Sequence, residues 1–481
     1  MAYKDLREFL DRLEKEGELK RINGAHWNLE IGGITEVSLK KPNPPALVFD
    51  NIPGYPKGFR VASNLVNTHR RSALALGLPE DASPLELVRL WKDRIRKIEP
   101  IPPRVVKEGA ILQNFLEGER VNMLAFPSPF WHEHDGGRYL GTADMVIQAD
   151  LDAPDWINVG TYRVQVHDEK HLGLYISRGH HGWTILEKYW ARGKPCPVAI
   201  TFGQEPATWI GITHALPDRV SEYDYAGWIR GEPVEVLRGP VTGLPIPAHA
   251  EIAIEGWVHP ETSRHRIEGP FGEWQGYYAS EARPEPVVDV AAILYRNDPI
   301  ITGAPPLKPT ATRNPQIAID FGSARIWDYL EKAGVPEVKG VFRFISGQTS
   351  AYFIVVSIRQ RYPGHSRQAA HAALGCYGGA NNGRFVIVVD DDIDPSNVDE
   401  VLWAVGTRCD AEAGIDVVKG CWGSALDPRL EPWKKKAGNL VSSRAILDAC
   451  RPYHWFNEFP RVSTISKELE KTIREKWEGV I

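Results

Sequence analysis

Apolar residues recur at helical spacing at both ends of the chain. The first group predicts a helix over residues 3–16 that ends at Gly17 and consists of Leu6, Phe9, Leu10 and Leu13. The second group forms a stripe at four-residue spacing, with Lys and Glu on the other faces, and consists of Ile465, Leu469, Ile473 and Trp477. We expect this second stripe to pack either on the chain's own core or across a subunit boundary.

Between about residues 140 and 300 the pattern changes to short runs of alternating apolar and polar residues. Turn residues separate these runs, which are 159–166, 172–176, 198–202, 251–258 and 287–294. One helical stretch, 184–192, interrupts them. The pattern predicts an antiparallel sheet or barrel, and the mouth of a barrel can hold a small ligand.

The regions on either side alternate between helical and strand-like periodicity. Before the barrel, the apolar run 46–49 and the helical run 85–91 predict an α/β unit that ends near residue 115. After it, a second α/β unit is predicted from runs at 324–333, 351–358, 385–389 and 398–404. The sequence therefore predicts a multidomain α/β (α+β) protein.

Charge and composition exclude several classes of partner. The 57 Lys and Arg and 62 Asp and Glu are interspersed and give a net charge of -5, which favours neither a nucleic-acid groove nor a basic membrane face. The first residues run into a charged helix without a secretory signal, and apolar runs such as 385–389 are far shorter than the roughly 20 residues of a membrane span. We expect a cytoplasmic protein, and its five scattered cysteines predict reduced, structural thiols.

The stretch Glu268-Gly-Pro-Phe-Gly-Glu273 places two carboxylates around a segment that can turn sharply. Gly269 and Gly272 permit backbone angles closed to other residues, and Pro270 fixes its own. The turn could bring both acids into one cavity as an acid/base site. It could equally be a tight turn whose acids face solvent.

Arg163 is a candidate partner for these acids. Alternation along 158–166 predicts a single strand with one face formed by Val159, Thr161, Arg163 and Gln165. An isolated Arg163 would suggest a surface salt bridge. Two carboxylates around one guanidinium titrate as a coupled pair, so one can stay ionised while the other holds a proton near neutral pH.

Two sets of residues are candidates for a metal site. The first, His132-Glu-His134-Asp135, precedes two glycines, so a polar loop is the expected setting. The second comprises Asn158, the pair His180-His181 and Glu222, and its oxygen-rich character suits Mg²⁺ or Mn²⁺ better than Zn²⁺.

The acidic run 390–394 is better explained by a helix cap than by a metal site, with Asp394 capping the helix that follows. The glycine-rich stretch 378–383 predicts a flexible loop.

Taken together, these pieces resemble the UbiD family of reversible decarboxylases, which use prenylated flavin mononucleotide. The likeness extends over nearly the whole chain and rests on 135–139, 158–163, 220–222 and 268–273. It implies a central flavin-reductase-like split β-barrel between two α/β units. The domains expected are an N-terminal α/β domain (1–115), a barrel that binds the flavin (116–310), a C-terminal α/β domain (311–455) and an oligomer-forming helix (456–481).

The resemblance implies a specific chemistry. The expected reaction is the reversible, non-oxidative decarboxylation of an aromatic or heteroaromatic acid, with release of CO₂ and with the prenylated flavin as covalent electron sink. Glu273 is expected to donate the proton that replaces CO₂, while Arg163 and Glu268 position the carboxylate. The form of 158–163 is closest to members that act on hydroxylated aromatic acids.

The resemblance also implies the binding residues. Those expected to contact the flavin are Asn158, Gly160, Thr161, Tyr162, Arg163, Gly179, His180 and Glu222. Asn158, His180 and Glu222 would hold Mn²⁺ or Mg²⁺ beside K⁺, with His181 as the alternative to His180. Pro305, Leu307 and Lys308 would lie near the substrate, and a lysine that contacts the flavin in some members falls on Gly378.

The family further implies a homo-oligomer, a dimer or a hexamer, supplied with cofactor by a separate flavin prenyltransferase. Two other functions compete with this interpretation. A flavin oxidoreductase is opposed by the absence of a dinucleotide-binding signature. A non-catalytic flavin-binding subunit of a decarboxylase system is opposed by the complete set of Arg163, Glu268 and Glu273.

Overall fold

The computed structural model describes residues 3–140, 142–214, 216, 219–278, 281–308, 317–345, 351–380 and 383–478. The helices in these stretches are α1 (Leu6–Lys15), α2 (Glu30–Leu39), α3 (His69–Leu76), α4 (Pro84–Ile95), α5 (His181–Trp190), α6 (Pro206–Ile212), α7 (Glu222–Arg230), α8 (Phe321–Lys332), α9 (His365–Gly375), α10 (Tyr377–Ala380), α11 (Val398–Arg408), α12 (Pro432–Lys436) and α13 (Lys467–Lys476). The strands are β1 (Leu19–Asn23), β2 (Ala46–Asp50), β3 (Arg60–Ser63), β4 (Arg104–Val105), β5 (Asn114–Glu117), β6 (Arg138–Tyr139), β7 (Asp144–Ala149), β8 (Ile157–Gly160), β9 (Arg163–Val166), β10 (His171–Tyr175), β11 (Cys196–Phe202), β12 (Glu235–Arg238), β13 (Pro245–Pro247), β14 (Ile252–Val258), β15 (Arg266–Glu268), β16 (Arg283–Glu285), β17 (Val287–Tyr295), β18 (Ile300–Gly303), β19 (Val338–Ile345), β20 (Ala351–Ile358), β21 (Phe385–Asp390), β22 (Ile415–Cys421) and β23 (Ser442–Ala449).

Both terminal helices form where the apolar spacing predicts them. The N-terminal helix α1 begins after Asp5, whose side chain accepts a hydrogen bond from Glu8 N, and all four of its predicted apolar residues are buried. In the stripe around α13, by contrast, Ile465, Leu469 and Trp477 are 49, 48 and 48% exposed. In the described part of the chain, the first apolar stripe is therefore buried and the second is largely exposed to solvent.

The first sheet has the strand order β1-β2-β3-β18 and takes its last strand from far along the chain. Strand β18 pairs in parallel with β3, with Ile300 opposite Arg60. The chain therefore returns to the N-terminal unit after the barrel strands, and the segment that follows β18 leads to residues 305–308. The domain division at 115/116 and at 455/456 stays a prediction, and the boundary at 310/311 lies outside the described residues.

The central sheet has the strand order β6-β9-β10-β17-β14-β11-β7-β8, with β5 added along β17. Strand β8 lies at one edge and β9 lies next to the other edge, yet only Thr161 and Tyr162 separate them in sequence. Because two residues cannot cross a flat sheet of this width, the sheet must curl until its edges approach each other. This half-barrel confirms the predicted fold class.

The prediction of one strand over 158–166 is wrong, because β8 ends at Gly160 and β9 begins at Arg163. The Thr161 hydroxyl donates a hydrogen bond to Asp144 Oδ1 (3.0 Å), and the Tyr162 ring folds back so closely that a Cβ built at Gly160 would lie 2.5 Å from Tyr162 Cζ. Alternation of apolar residues continues through this break and therefore hides it. Arg163 and Gln165 still share one face of β9.

The C-terminal sheet has the order β19-β20-β21-β23-β22 and carries two further corrections. Asn397, not Asp394, caps α11, because its side chain accepts from the first backbone N–H groups of that helix, while Asp394 binds Ser396 in the preceding turn. The predicted flexible loop at 378–383 begins instead as the short helix α10, and residues 381–382 lie outside the described residues. None of the helices in the described stretches has the length and apolarity to cross a bilayer.

Candidate active site

Arg163 and the two carboxylates of the turn form one hydrogen-bonded cluster. Arg163 Nε and Nη2 donate to the two oxygens of Glu268 at 2.8 and 2.7 Å, and Arg163 Nη1 donates to Glu273 Oε1 at 2.7 Å. The side chains of Arg163, Glu268 and Glu273 are 8, 0 and 9% exposed. The structure thus places the acids in the interior, which excludes a turn whose carboxylates face solvent.

Glu268 has a second partner, Tyr139, for which the sequence predicts no separate role. The Tyr139 hydroxyl lies 2.9 Å from Glu268 Oε1, and its ring packs on Phe271 with the centroids 4.0 Å apart. Below the guanidinium, the ring of Tyr175 lies 4.1 Å from Arg163 Cζ. Strands β6, β9 and β10 therefore fix the positions of the Arg163 and Glu268 side chains.

The charges in the cluster stabilise one another. Burial disfavours the charged guanidinium, but the nearby carboxylates of Glu268 and Glu273 outweigh that effect and raise the pKa of Arg163 above its usual range. Arg163 is therefore a permanent cation at physiological pH. Two acids that share one buried cation can exchange a proton with a ligand without leaving an unpaired buried charge.

Residues 305–308 pack against the loop that carries Glu273. A Cβ built at Gly272 would lie 3.3 Å from Pro306 O, and one built at Gly276 would lie 2.7 Å from Lys308 Cα. Pro305 and Leu307 are buried and Lys308 is exposed. The predicted pocket residues therefore lie at the back of the loop that carries Glu273. Beside them, Val66, Trp209 and Ala304 help to line a mainly apolar recess.

A second polar cluster surrounds the junction between β8 and β9. Asn158 is buried and its Nδ2 has no partner among the described residues, while Glu222 Oε2 accepts a hydrogen bond from Val159 N at 2.8 Å. Burial raises the pKa of Glu222 to about 7, because no cationic side chain of the described residues pairs with it. A buried carboxylate and an unpaired amide beside it are suited to a cation that the protein itself does not supply.

The two adjacent histidines point to different neighbours. His180 precedes the first residue of α5, and its ring centroid lies 6.1 Å from that of Tyr162. His181 is the first residue of the helix and packs against Trp156, with centroids 5.4 Å apart. Since Tyr162 belongs to the same junction as Asn158, this ring contact places His180 beside the second cluster, whereas His181 packs near the start of β8.

The structure adds one buried acid that sequence reasoning missed. Asp144, the first residue of β7, is fully buried, and its Oδ2 has no hydrogen-bond partner in the described residues. Burial raises the pKa of Asp144 to about 8 despite the hydrogen bond from the Thr161 hydroxyl. Asp144 belongs to no recognisable sequence motif, because its hydrogen-bond partner Thr161 is 17 residues away in the chain.

The other candidate metal set has the polar setting that the sequence predicts. His132 N donates to Asp135 Oδ2 at 2.9 Å, and the His134 ring lies near Tyr278 instead of beside His132. Within the described part of the chain, no group of three His, Cys, Asp or Glu side chains is arranged to hold a metal. Gly378 packs on α8, where a Cβ would lie 2.9 Å from Ile326 Cγ1, so a lysine at this position would require a shift.

Comparison with known proteins assigns this arrangement to a family. Three domain models of 3-octaprenyl-4-hydroxybenzoate carboxy-lyase match consecutive parts of the chain: the N-terminal model at 10–91, the Rift-related model at 104–309 and the C-terminal model at 321–449. The chain belongs to the UbiD family. It is therefore a UbiD-family carboxy-lyase, and the resemblance read from its motifs is confirmed.

Curated relatives of this UbiD-family chain cover nearly its whole length. The pyrrole-2-carboxylic acid decarboxylase of Pseudomonas aeruginosa is 34% identical and covers 98% of this chain and 97% of its own. The phenolic acid decarboxylase of Streptomyces sp. (strain D7) is 33% identical and covers 94% of this chain and 93% of its own.

Solved UbiD-class structures share the fold. The open form of the vanillic acid decarboxylase of Sedimentibacter hydroxybenzoicus superposes with a TM-score of 0.84 at 29% identity, over 98% of this chain and 99% of that one. HmfF from Pelotomaculum thermopropionicum, solved in complex with FMN, gives a TM-score of 0.82 at 29% identity, over 97% of this chain and 98% of that one. An evolved dimeric form of HmfF is solved with prenylated FMN.

Proposed function

We propose that this protein is a reversible, prenylated-FMN-dependent decarboxylase of an aromatic or heteroaromatic acid, phenolic acids included. The observation that carries the proposal is the buried cluster in which Arg163 binds Glu268 through two nitrogens and Glu273 through a third. A decarboxylase needs a cation to hold a carboxylate and an acid to supply one proton. This cluster contains both groups, since the Arg163 cation lies within hydrogen-bond distance of the Glu273 acid.

The protein residues have separate roles in the proposed reaction. Arg163, held by Glu268, orients the substrate carboxylate. The bond between the ring carbon and the carboxyl carbon breaks, CO₂ leaves, and the carbon takes a proton from the protonated form of Glu273. Glu273 is then ionised beside Arg163, which stabilises it by charge. The reverse reaction takes the proton back, so high CO₂ favours carboxylation.

The residues of the second cluster fit a flavin phosphate and its ions. Asn158, His180 and Glu222 would hold Mn²⁺ or Mg²⁺, with K⁺ beside it, and Tyr162 packs against His180. Gly179 has φ of 93° and turns the chain into the start of α5, where the positive end of the helix favours a phosphate. When bound, the prenylated flavin would supply the electron sink for the carbon that loses CO₂.

The proposed substrate class rests on the named relatives. Relatives that cover 98 and 94% of the chain are named as a pyrrole-2-carboxylic acid decarboxylase and a phenolic acid decarboxylase, and both names give an acid that contains an aromatic ring.

The decisive test is Glu273→Gln in protein co-expressed with a flavin prenyltransferase. We expect the variant to keep its flavin absorption and to lose at least about 100-fold in CO₂ release, because a general acid contributes about 10²–10⁴-fold. Deuterium from heavy water should enter the product of the wild type at the carbon that loses CO₂. The measurement is CO₂ release and product mass with a panel of phenolic and heteroaromatic acids.

A matched control is Glu261→Gln, at a side chain that is 58% exposed and outside the site. It should leave both the absorption spectrum and turnover unchanged. Wild-type turnover by Glu273→Gln would refute the proton-donor role. If no acid in the panel loses CO₂ and a nicotinamide bleaches the bound flavin, the protein is a flavin oxidoreductase instead.

A further inference from the structure

The segment Asp135–Tyr139 has no role in the function proposed above, yet it lies directly against the turn 268–273. Gly136 N donates to Pro270 O at 2.6 Å, and a Cβ built at Gly136 would lie 1.9 Å from Gly269 O. At the segment's start, Asp135 Oδ1 accepts a hydrogen bond from the Tyr278 hydroxyl at 3.0 Å. The segment therefore contacts the turn 268–273 through Gly136 and the residues that follow this turn through Asp135.

At the other end of the segment, the Tyr139 hydroxyl lies between two oxygens. It is 2.9 Å from Glu268 Oε1 and 3.3 Å from Gln165 Oε1. The orientation of the Gln165 amide follows from two backbone partners, since Oε1 accepts from Gly269 N (3.1 Å) and Nε2 donates to Gly136 O (3.0 Å). Both neighbours of the hydroxyl are therefore acceptors, so the hydroxyl has to donate.

The hydroxyl of Tyr139 also keeps its proton. Burial, and after it the charge of Glu268, raise the pKa of Tyr139 far above its usual range. Glu268 thus accepts three hydrogen bonds, two from the Arg163 guanidinium and one from Tyr139. Hydrogen bonds to an ionised carboxylate are stronger than those to its neutral acid, so each of these three stabilises the charged form of Glu268.

We propose that Tyr139 is a positioning residue that keeps Glu268 ionised and thereby reserves the exchangeable proton of the site for Glu273. The proposal rests on the function proposed above and assigns the two carboxylates different states. If Glu268 took the proton, its two bonds to Arg163 would lose the negative charge of their acceptor, and Arg163 would be held less firmly.

The other charged and titratable groups near Glu268 do not replace the hydrogen bond that Tyr139 donates to it. His167, just after β9, has its pKa lowered by burial and then by Arg266, so it is mainly neutral at pH 7. Asp135 has its pKa raised by burial and faces Tyr278 instead of Glu268. Glu273 lies on the far nitrogen of the guanidinium. Among the described residues, Arg163 and Tyr139 are therefore the side chains that donate hydrogen bonds to Glu268.

The test is Tyr139→Phe, which removes the hydroxyl and keeps the ring that packs on Phe271. Tyr3→Phe is the matched control, because Tyr3 is also buried and donates to a backbone oxygen, Ala75 O, at 2.9 Å. We expect both variants to melt at similar temperatures and to load flavin. In Tyr139→Phe alone, the acid limb of the pH–rate profile should move to higher pH by about one unit, as the loss of one hydrogen bond to a charged group predicts.

A second readout requires neither cofactor nor activity. An infrared pH titration of the flavin-free protein follows the C=O stretch of protonated carboxyl groups, and the contribution of Glu268 is the part that Glu268→Gln removes. This contribution should appear at higher pH in Tyr139→Phe than in the wild type. Should Tyr139→Phe not fold, 3-fluorotyrosine at position 139 keeps the shape and donates more strongly, and both readouts should move to lower pH.

The outcomes separate the two proposals. An unchanged infrared titration and an unchanged acid limb in Tyr139→Phe would overturn the inference even if the wild type releases CO₂. If the wild type decarboxylates no aromatic acid, the proposed function fails, whereas the infrared titration still decides whether Tyr139 holds Glu268 ionised. A shift shared by Tyr3→Phe would also count against a specific role of Tyr139.

Discussion

At the scale of single residues, the buried carboxylates of the site fall into two groups. Glu268 and Glu273 share the Arg163 cation, whereas Asp144 and Glu222 are buried without a cationic side chain among the described residues. Uncompensated burial of an acid favours its protonated form and costs stability once it must ionise. The first group suits proton exchange with a ligand, and the second suits the binding of a cation or of a hydrogen-bond acceptor.

Asp144 gives a pH-dependent prediction for the flavin-free protein. Its pKa is about 8 in the folded state against 3.8 in a free side chain, so between these values the folded state binds the proton that the unfolded state has released. The contribution of Asp144 to the free energy of unfolding therefore falls as pH rises from about 4 to about 8. Asp144→Asn should remove this contribution, so the variant should gain stability relative to the wild type between pH 5 and pH 8, measured by chemical denaturation.

Asp155→Asn, at an exposed position, is the control and should change stability equally at both pH values. If the difference between Asp144→Asn and the wild type is the same at pH 5 and pH 8, Asp144 is already ionised in the folded protein. That result would require a cationic partner for it and would contradict its unpaired Oδ2.

The residues that sequence reasoning found and missed differ in a physical respect. Arg163, Glu268 and Glu273 were found because charge at a sharp turn and on a strand face is unusual without a partner. Tyr139 and Asp144 were missed because a hydroxyl or a lone acid is common at any position, and only burial gives it meaning. Glu268 and Tyr139 are 129 residues apart, so the contact depends on how β6 and β15 are placed in space.

At the scale of elements, periodicity located most barrel strands and six of the thirteen helices in the described residues, but not their ends. Helix α5 illustrates this, since the apolar pattern begins at 184 while the helix begins at His181, just after Gly179 adopts a positive φ. The same limit explains the merged strand at 158–166, where the break depends on a hydrogen bond to Asp144 and a folded-back ring. Both details determine which side chains reach the second cluster.

The start of α5 predicts different roles for two neighbouring histidines. His180 lies outside the helix beside Tyr162, and His181 lies inside it against Trp156. His180→Ala should therefore reduce Mn²⁺ binding and flavin retention about tenfold or more, as loss of a ligand in a site of few ligands predicts. His181→Ala is the matched control and should retain both. Metal content and flavin absorption after gel filtration measure the two effects.

The reverse result, with Mn²⁺ lost in His181→Ala and retained in His180→Ala, would make His181 the ligand and show that the helix begins differently when the ion is bound. Equal retention in both variants, with or without chelator, would contradict an ion site at Asn158, His180 and Glu222. Adding Mn²⁺ and K⁺ separately after chelation identifies which ion restores the flavin.

At the scale of the whole molecule, exposed large apolar side chains are unevenly distributed along the chain. The N-terminal unit and the barrel expose a few large apolar side chains, such as Val37 and Ile267, whereas the C-terminal part exposes many. Those that are 44% exposed or more there include Leu402, Trp403, Val417, Trp422, Trp433, Ile465, Leu469 and Trp477. Apolar surface on this scale is typical of regions that contact another subunit.

We therefore expect the protein to self-associate through its C-terminal part, in which the stripe of α13 is the most regular element. Replacing Leu469 and Trp477 together by Glu keeps the helix, since Glu is a good helix former, and places charge in the contact. The subunit number, measured by light scattering during gel filtration over a range of concentrations, should fall. Lys471→Glu, on the polar face and with a side chain 78% exposed, adds comparable charge and should leave it unchanged. A wild type that stays monomeric at every concentration would contradict the prediction, and the stripe would then need a covering partner of another kind.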